Sequence, residues 1–154
     1  MDPESRQLRV RTLGFLFNVR AILRLRYSAG NVYRSTSFYV QKLFAQNRGD
    51  SYLPSTLPAQ NSSLHWSVAR SGSTGLIIKV ANAGSSAQTL RFALPFNNVA
   101  TSGTLQLLTG AQTASNTPDT PNAVTPRNST VAVGKTFNYQ APAFSVSVIT
   151  FNAS

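Results

Sequence analysis

From residue 64 onward, apolar and polar side chains alternate along several short segments of the chain. A repeat of two is typical of a β-strand with one buried face. In "AFSVSVITF", residues 143–151, it predicts that the valines point inward and that Ser145 and Ser147 point outward. The side chains that this alternation assigns to one sandwich interior are Leu64, Trp66, Val68, Leu90, Phe92, Leu94, Phe144, Val146 and Val148.

Two further segments depart from simple alternation. "LIIKVANA", residues 76–83, is apolar almost throughout, with only Lys79 against it, which predicts a central strand buried on both faces. "GTLQLLTG" places Leu105 and Leu107 on one face and Leu108 on the other. About seven short strands separated by Gly, Ser and Pro turns predict an antiparallel, jelly-roll-like β-sandwich over residues 51–154.

One segment before the sandwich has a helical period. "SFYVQKLFAQNRGD", residues 37–50, follows hydroxyl residues 35–37 that can cap a helix, and Gly49 can take a left-handed conformation at its end. The fold class is therefore all-β, with one short amphipathic helix before the sandwich. The apolar stripe of this helix is Phe38, Tyr39, Val40, Leu43 and Phe44.

Prolines and small polar residues predict two long loops. Residues 51–63 contain Pro54 and Pro58, which cannot donate to a strand ladder, and residues 111–128 contain three more prolines. Neither segment shows a sustained alternation of apolar and polar positions.

The charge of the chain is strongly positive and unevenly placed. Fourteen Lys and Arg against four acids give +10 over 154 residues, and arginines crowd residues 1–31. We interpret residues 1–31 as a basic leader that is not part of the native fold, without the apolar core of a secretion signal or a membrane span. Nucleic-acid binding through this leader is an alternative, but later basic residues stand singly, without interleaved aromatics, so it is disfavoured.

The residue types restrict the chemistry that the chain can perform. It has no cysteine and one histidine, His65, and no serine lies in a G-x-S-x-G motif. Glycosidases use two carboxylates about 5–9.5 Å apart. We therefore predict no catalytic residue, no metal site and no cofactor site. The four acids, which offer no convincing pair, are Asp2, Glu4, Asp50 and Asp119.

Two kinds of binding or modification site can be named. Tyr52, Trp66 and Tyr139 could form a sugar-stacking platform, although Trp66 and Tyr139 fall on inward faces, which favours core positions. The N-glycosylation sequons, of which the first two fall in the predicted loops, begin at Asn61, Asn128 and Asn152.

Three stretches resemble a known family: "YRSTSFYVQKLFAQNRGDSYLPST", "HWSVAR…STGLIIKVANAGSSAQTLRFALPF" and "LTG…SNTPDTPNAVTPRNSTVAVGKTFNYQAPAFSVSVITF". They are similar to the C-terminal domain of fungal α-L-arabinofuranosidases of glycoside hydrolase family 51. The resemblance runs from about Val32 to Phe151 and is most specific in "YVQKLF…NRGD" and "TPNAVTP…FNY.APAFSVSV".

The resemblance implies a division of the parent enzyme into two parts. A (β/α)8 barrel carries both catalytic glutamates, and a jelly-roll sandwich follows it and tends to recruit a strand from the enzyme's N-terminus. Residues 32–50 resemble the last barrel helix, whose apolar stripe would be meant for the barrel and otherwise must find another partner or stay exposed. No position of this chain matches either glutamate.

The function implied is that of an accessory domain, inactive alone, of a secreted enzyme. That enzyme hydrolyses terminal non-reducing α-L-arabinofuranosyl residues in arabinan and arabinoxylan, so the domain meets the polysaccharide only indirectly. The alternative is a stand-alone carbohydrate-binding module. We expect no nucleic-acid partner and no membrane span.

Overall fold

The computed structural model describes residues 26–28, 31–56 and 63–154. The prediction for the leader therefore lies largely outside the described residues, and only the hairpin of β1 and β2 reaches into it. The elements in chain order are β1 (Arg26–Ser28), β2 (Asn31–Tyr33), α1 (Thr36–Gln46), β3 (Ser51–Leu53), β4 (Leu64–Ser71), β5 (Gly75–Asn82), β6 (Gln88–Ala93), β7 (Ser102–Thr109), β8 (Arg127–Ala132), β9 (Thr136–Ala141) and β10 (Ser145–Asn152).

The strands form a sandwich of unequal layers. A six-stranded antiparallel sheet has the order β3-β4-β5-β10-β7-β8, and β6 and β9 form a separate two-stranded sheet. The small sheet packs over one face of the large sheet, which we call its inner face; the opposite face is the outer face. The predicted all-β sandwich with a short helix before it is confirmed.

Apolar side chains from both sheets fill the space between them, and we call this group the inner cluster. Phe92 and Phe137 stack across β6 and β9 with ring centroids 5.0 Å apart, and Phe151 meets the Phe137 ring edge-on. The buried members are Leu64, Val68, Leu76, Ile78, Val80, Leu90, Leu105, Val133, Tyr139, Ala141, Ile149, Phe151 and Ala153.

Helix α1 covers part of the outer face. Its apolar stripe, expected to require another partner or to stay exposed, packs on the large sheet of the same chain. Lys79 lies at the edge of this contact, with its ammonium 5.0 Å from the centre of the Phe44 ring. The buried members of this outer cluster are Tyr39, Val40, Leu43, Ile77, Ala81, Leu108, Val124, Val146 and Val148.

The orientation predicted for β10 is wrong. Val146 and Val148 belong to the outer cluster beneath α1, whereas Ser145 and Ser147 are fully buried. The reason is that β10 lies between β5 and β7 in the middle of a sheet covered on both faces, so neither of its faces is open to water. The Ser145 hydroxyl donates to the Pro142 carbonyl at 2.7 Å, which makes its burial tolerable.

The residues predicted to share one interior are consequently divided between two, the inner cluster and the outer cluster. Leu64, Val68 and Leu90 are buried in the inner cluster, and the valines of β10 are buried in the outer one. Four of the predicted interior residues are only half-buried. They are Trp66, Phe92 and Leu94 around the inner cluster, and Phe144, which has a φ of 45° in the turn before β10.

Helix α1 begins where the sequence predicted but ends with a different capping residue. The Ser35 hydroxyl accepts from the Phe38 N–H at 3.2 Å, as expected of an N-cap. At the other end Asn47, not Gly49, caps the helix, and both its backbone N–H and its side-chain amide donate to the Leu43 carbonyl. Gly49 is needed for space, because a Cβ there would lie 2.5 Å from the Ala69 Cβ.

Both predicted loops contain more structure than expected. Ser51–Leu53 forms β3, a short edge strand paired with β4 that ends before Pro54. Between β7 and β8, the buried Asn116 donates to the carbonyls of Arg34 and Val124 and accepts from the Val124 N–H. These bonds fix the loop over the outer cluster, where Val124 is buried.

Candidate functional site

The three aromatic residues proposed as a sugar platform lie in separate places. Tyr52 on β3 is 52% exposed, and it pairs with Ala69, one residue from the buried Val68 of the inner cluster. Because successive side chains of a strand point to opposite faces, Tyr52 lies on the outer face. Among the described residues, Tyr52 is the one large apolar side chain that is exposed.

Trp66 and Tyr139 belong to the interior side of the sandwich. Trp66 packs half-buried against the inner cluster, and its indole N–H donates to the Ser55 hydroxyl at 2.9 Å. Tyr139 is 5% exposed and donates from its hydroxyl to that of Ser147 at 2.7 Å. Burial raises the pKa of Tyr139, and the bond to Ser147 lowers it by less. Neither ring shares a surface with Tyr52.

The carboxylates of the described residues, Asp50 and Asp119, lie in separate connecting segments. The Asp50 side chain accepts from the Gly72 N–H at 2.6 Å, and Gly72 has a φ of 61° in the turn between β4 and β5. Asp119 is exposed in the loop before β8. His65 is half-buried on β4, on the face opposite Leu64. Asp50 thus has a structural role in this hairpin.

The described residues offer neither a group of metal ligands nor a helix that could cross a membrane. Across residues 26–28, 31–56 and 63–154, no three His, Cys, Asp or Glu side chains lie together as metal ligands would. Within the same ranges no helix has the length and hydropathy required to cross a bilayer.

The outer face is open beyond the C-terminal end of α1, where it forms a polar cleft. The cleft has a volume of about 580 Å³, with residues 46–48 on one side. Its floor includes Thr150, Thr104 and Thr130, which stand directly opposite one another on β10, β7 and β8. Sequence alternation marks Thr104 and Thr130 as facing away from the inner cluster, whereas for Thr150 it predicted the opposite face together with the valines of β10. Only the structure brings the three threonines into one row.

Two sequon asparagines lie beside this cleft, and the third lies outside the described residues. Asn128 on β8 stands opposite Gln106, and Asn152 on β10 stands opposite Gly75. Both are exposed and both lie on the outer face, since they are two residues from Thr130 and Thr150. Asn128 was expected in a loop, but it lies near the start of an edge strand. Asn61 remains a sequence prediction.

Comparison with known proteins identifies the family. Residues 4–145 match the family model described as the α-L-arabinofuranosidase C-terminal domain. The chain belongs to this family. The matched range begins inside residues 1–31, the segment interpreted as a leader, whose structure is mostly outside the described residues.

Curated relatives of this C-terminal domain are longer proteins. α-L-Arabinofuranosidase A of Aspergillus niger is 36% identical over 126 residues, which cover 81% of this chain and 19% of the relative. A probable α-L-arabinofuranosidase A of Emericella nidulans is 31% identical over 116 residues, covering 75% and 20%. The chain therefore spans about a fifth of the length of the curated relatives it matches.

Solved structures agree with this assignment. An arabinose-bound GH51 α-L-arabinofuranosidase is 60% identical, with a TM-score of 0.79 over 83% of this chain and 21% of that one. The arabinose complex of the Thermotoga maritima enzyme has a TM-score of 0.75 at 18% identity over 82% and 30%. At that identity the second match shows the fold alone.

Proposed function

We propose that this C-terminal domain is the accessory sandwich of a secreted GH51 α-L-arabinofuranosidase. The parent enzyme hydrolyses terminal non-reducing α-L-arabinofuranosyl residues of arabinan and arabinoxylan. A (β/α)8 barrel elsewhere in that protein supplies the catalytic carboxylates. The observation that carries the proposal is the family match combined with the seating of α1, which resembles the last barrel helix, on the sandwich.

Helix α1 gives the domain its mechanical role in this proposal. Tyr39, Val40 and Leu43 bury one side of the helix in the outer cluster, while Gln41 and Gln46 on other sides are exposed. The Asn47 amide also donates to the Gln106 side chain of β7 at 2.7 Å. The helix is thus fixed to the sandwich and offers its remaining surface to the barrel, so the sandwich holds the barrel's end in place.

The placement of the carboxylates among the described residues also supports an accessory role. Hydrolysis with retention needs one carboxylate behind the anomeric carbon and one beside the leaving oxygen, about 5–5.5 Å apart. Asp50 is bonded to a turn and Asp119 lies in a separate exposed loop. We therefore propose that the chain alone does not hydrolyse an aryl α-L-arabinofuranoside above the buffer rate.

Domain replacement tests the accessory role. This chain would replace the C-terminal domain of the 60% identical GH51 enzyme, and hydrolysis of an aryl α-L-arabinofuranoside would be followed. We expect an active chimera and an inactive isolated chain. In the chimera, Leu43→Asp should abolish the yield of soluble, active enzyme, because it places a charge in the outer cluster. Thr89→Asp is the control and should preserve that yield, because Thr89 is exposed on β6 of the small sheet, on the side of the sandwich opposite α1.

Activity of the isolated chain would contradict the proposal. Asp50→Asn and Asp119→Asn variants identify the source of any turnover, since loss in one of them would reveal a working carboxylate. Turnover that survives both would indicate a contaminating hydrolase. A chimera that folds but does not turn over would also count against the accessory role.

A stand-alone carbohydrate-binding module is the second candidate, favoured only by the exposed ring of Tyr52. Sugar platforms require open aromatic faces, because the ring stacks on the apolar side of a sugar. Affinity electrophoresis in arabinan gels tests this candidate. Retardation that disappears in Tyr52→Ala but persists in Tyr139→Phe would favour it over the accessory role.

A further inference from the structure

Asn128 combines a modification sequence with an accessible position. It begins the sequon Asn128-Ser129-Thr130 on β8, and β8 is the last strand of the six-stranded sheet. Both Asn128 and Thr130 are exposed, and they point to the same face because they are two residues apart. A group attached to Asn128 therefore has neighbours on one side only.

The surroundings of Asn128 are polar. Its cross-strand neighbour Gln106 accepts a hydrogen bond from the Asn47 amide, and the next pair on the same face of these strands is Thr104 and Thr130. The open cleft of about 580 Å³ begins at these threonines. A hydrophilic group on Asn128 would thus cover no apolar surface that needs a protein partner, and the cleft gives it space.

We propose that Asn128 carries an N-linked glycan that projects over the polar cleft. The donor class is a polyprenyl-diphosphate-linked oligosaccharide. The Asn128 Nδ2 forms a bond to C1 of the first sugar, and the bond from C1 to the diphosphate oxygen breaks. The electron pair leaves with the polyprenyl diphosphate, and one amide proton is lost to solvent.

Asn152 lies on the same face but in a more crowded position. On one side β10 pairs Asn152 with Gly75, and on the other its carbonyl accepts from the Ala100 N–H. The next residue, Ala153, is buried, and Ser154 exchanges two backbone hydrogen bonds with Asn98. The structure therefore assigns the glycan to Asn128 rather than to Asn152.

A glycan at Asn128 has a physical consequence for the sheet. An edge strand presents unpaired backbone groups that can pair with another chain, and bulky hydrophilic groups block such pairing. The glycan would stand at the open edge of β8, where the burial pattern shows mostly exposed side chains. It would keep the domain from associating through this edge.

The test uses the full chain behind a cleavable secretion signal in yeast. The inference rests on the secretion that is part of the proposed function. The added signal separates the glycan proposal from that function, because it sends the chain through the secretory pathway whether or not the parent enzyme is secreted. Secreted protein is treated with peptide-N-glycosidase F in ¹⁸O water, which converts a glycosylated Asn to labelled Asp. Peptide mapping then locates the label.

We expect the label at Asn128 in most molecules. Asn128→Gln and Thr130→Ala should remove that glycoform, Thr130→Ser should retain it, and Asn152→Gln should leave it unchanged. The map of the unaltered chain decides the question even if a variant is not secreted. Secretion without any label, or a label at Asn61 or Asn152 with Asn128 unmodified, would overturn the proposal.

Discussion

The two faces of the large sheet are covered in different ways. The inner face meets a second sheet, so its cover is a strand pair with its own ladder from Gln88–Ala141 to Ala93–Thr136. Within the part of the chain that the structure describes, the outer face meets one helix and one loop, and the loop is fixed mainly through Asn116. A sheet can therefore bury both faces even where its second cover is thin. β5 and β10 in the middle consequently have almost no polar face.

The comparison predicts different consequences of losing each cover. Residues of the inner cluster come from strands far apart in sequence, so removing one weakens the whole sandwich. The outer cluster depends on α1, a helix of 11 residues, which by itself would be marginal in water. We expect α1 to detach locally while the sheets remain folded.

The largest effect is expected from Leu76→Ala in the inner cluster. Leu76 is fully buried on β5, and removing its side chain leaves a cavity. The free energy of unfolding should fall by about 3 kcal/mol. Urea unfolding followed by fluorescence of Trp66 measures it, with half-buried Leu107→Ala as the control that should cost less. Equal losses in both variants would contradict the central role of Leu76.

Leu43→Ala should lower the free energy of unfolding somewhat less, by about 2–3 kcal/mol, and its effect should be local. Leu43 is buried between α1 and the large sheet, so its truncation loosens the helix. Hydrogen exchange should accelerate at the amides of α1 while those of β5 remain protected. If both regions accelerated together, the two clusters would form one cooperative unit and the contrast between them would fail.

Asn116→Ala should lower the free energy of unfolding by about 2 kcal/mol. The change leaves the buried Val124 N–H and two carbonyls without their partner. Asn122→Ala, at an exposed position of the same loop, is the matched control and should be close to neutral. Thermal unfolding of the two variants side by side makes the measurement. A neutral Asn116→Ala would mean that the loop does not cover the outer cluster in solution.

Tyr139→Phe should have the smallest effect at neutral pH, about 1 kcal/mol, because it removes the bond to Ser147. Burial holds the pKa of Tyr139 above its ordinary value of 10.0. The unfolded chain therefore loses this proton first, and the free energy of unfolding falls as the pH rises above about 10. Tyr139→Phe should reduce that fall, measured by urea unfolding between about pH 9 and 11.

An identical alkaline slope in wild type and Tyr139→Phe would contradict this prediction, because it would indicate that burial does not hold the pKa of Tyr139 above its ordinary value.

The strand pattern was predictable where a strand has one buried face or an unbroken apolar run. "LHWSVAR" gave the correct inward set around Leu64 and Val68, and "LIIKVANA" gave the doubly buried β5. The pattern failed at β10, because buried serines look like exposed ones in sequence. Only the Tyr139 hydroxyl opposite Ser147 explains why that serine is tolerated inside.

The cleft and the role of Asn116 required the tertiary structure. The threonine row depends on the order β10-β7-β8, which joins segments separated by long stretches of chain. Asn116 lies in a Pro-rich stretch that reads as an ordinary loop, and its partner Arg34 is 82 residues away. The resemblance to a known family supplied the proposed function, because the two carboxylates among the described residues, Asp50 and Asp119, lie in separate places and suggest no reaction.

The short connection after α1 makes the helix and the sandwich a stiff joint. Within residues 47–50, Asn47 is bonded to Leu43 and Gln106, Gly49 sits against Ala69, and the Asp50 N–H donates to the Arg70 carbonyl at 2.7 Å. Three of the four residues of this connection, Asn47, Gly49 and Asp50, are thus held against the sandwich or the helix. A force applied to α1 would therefore turn the whole sandwich with it, and a body attached to the helix would hold the sandwich at a fixed angle.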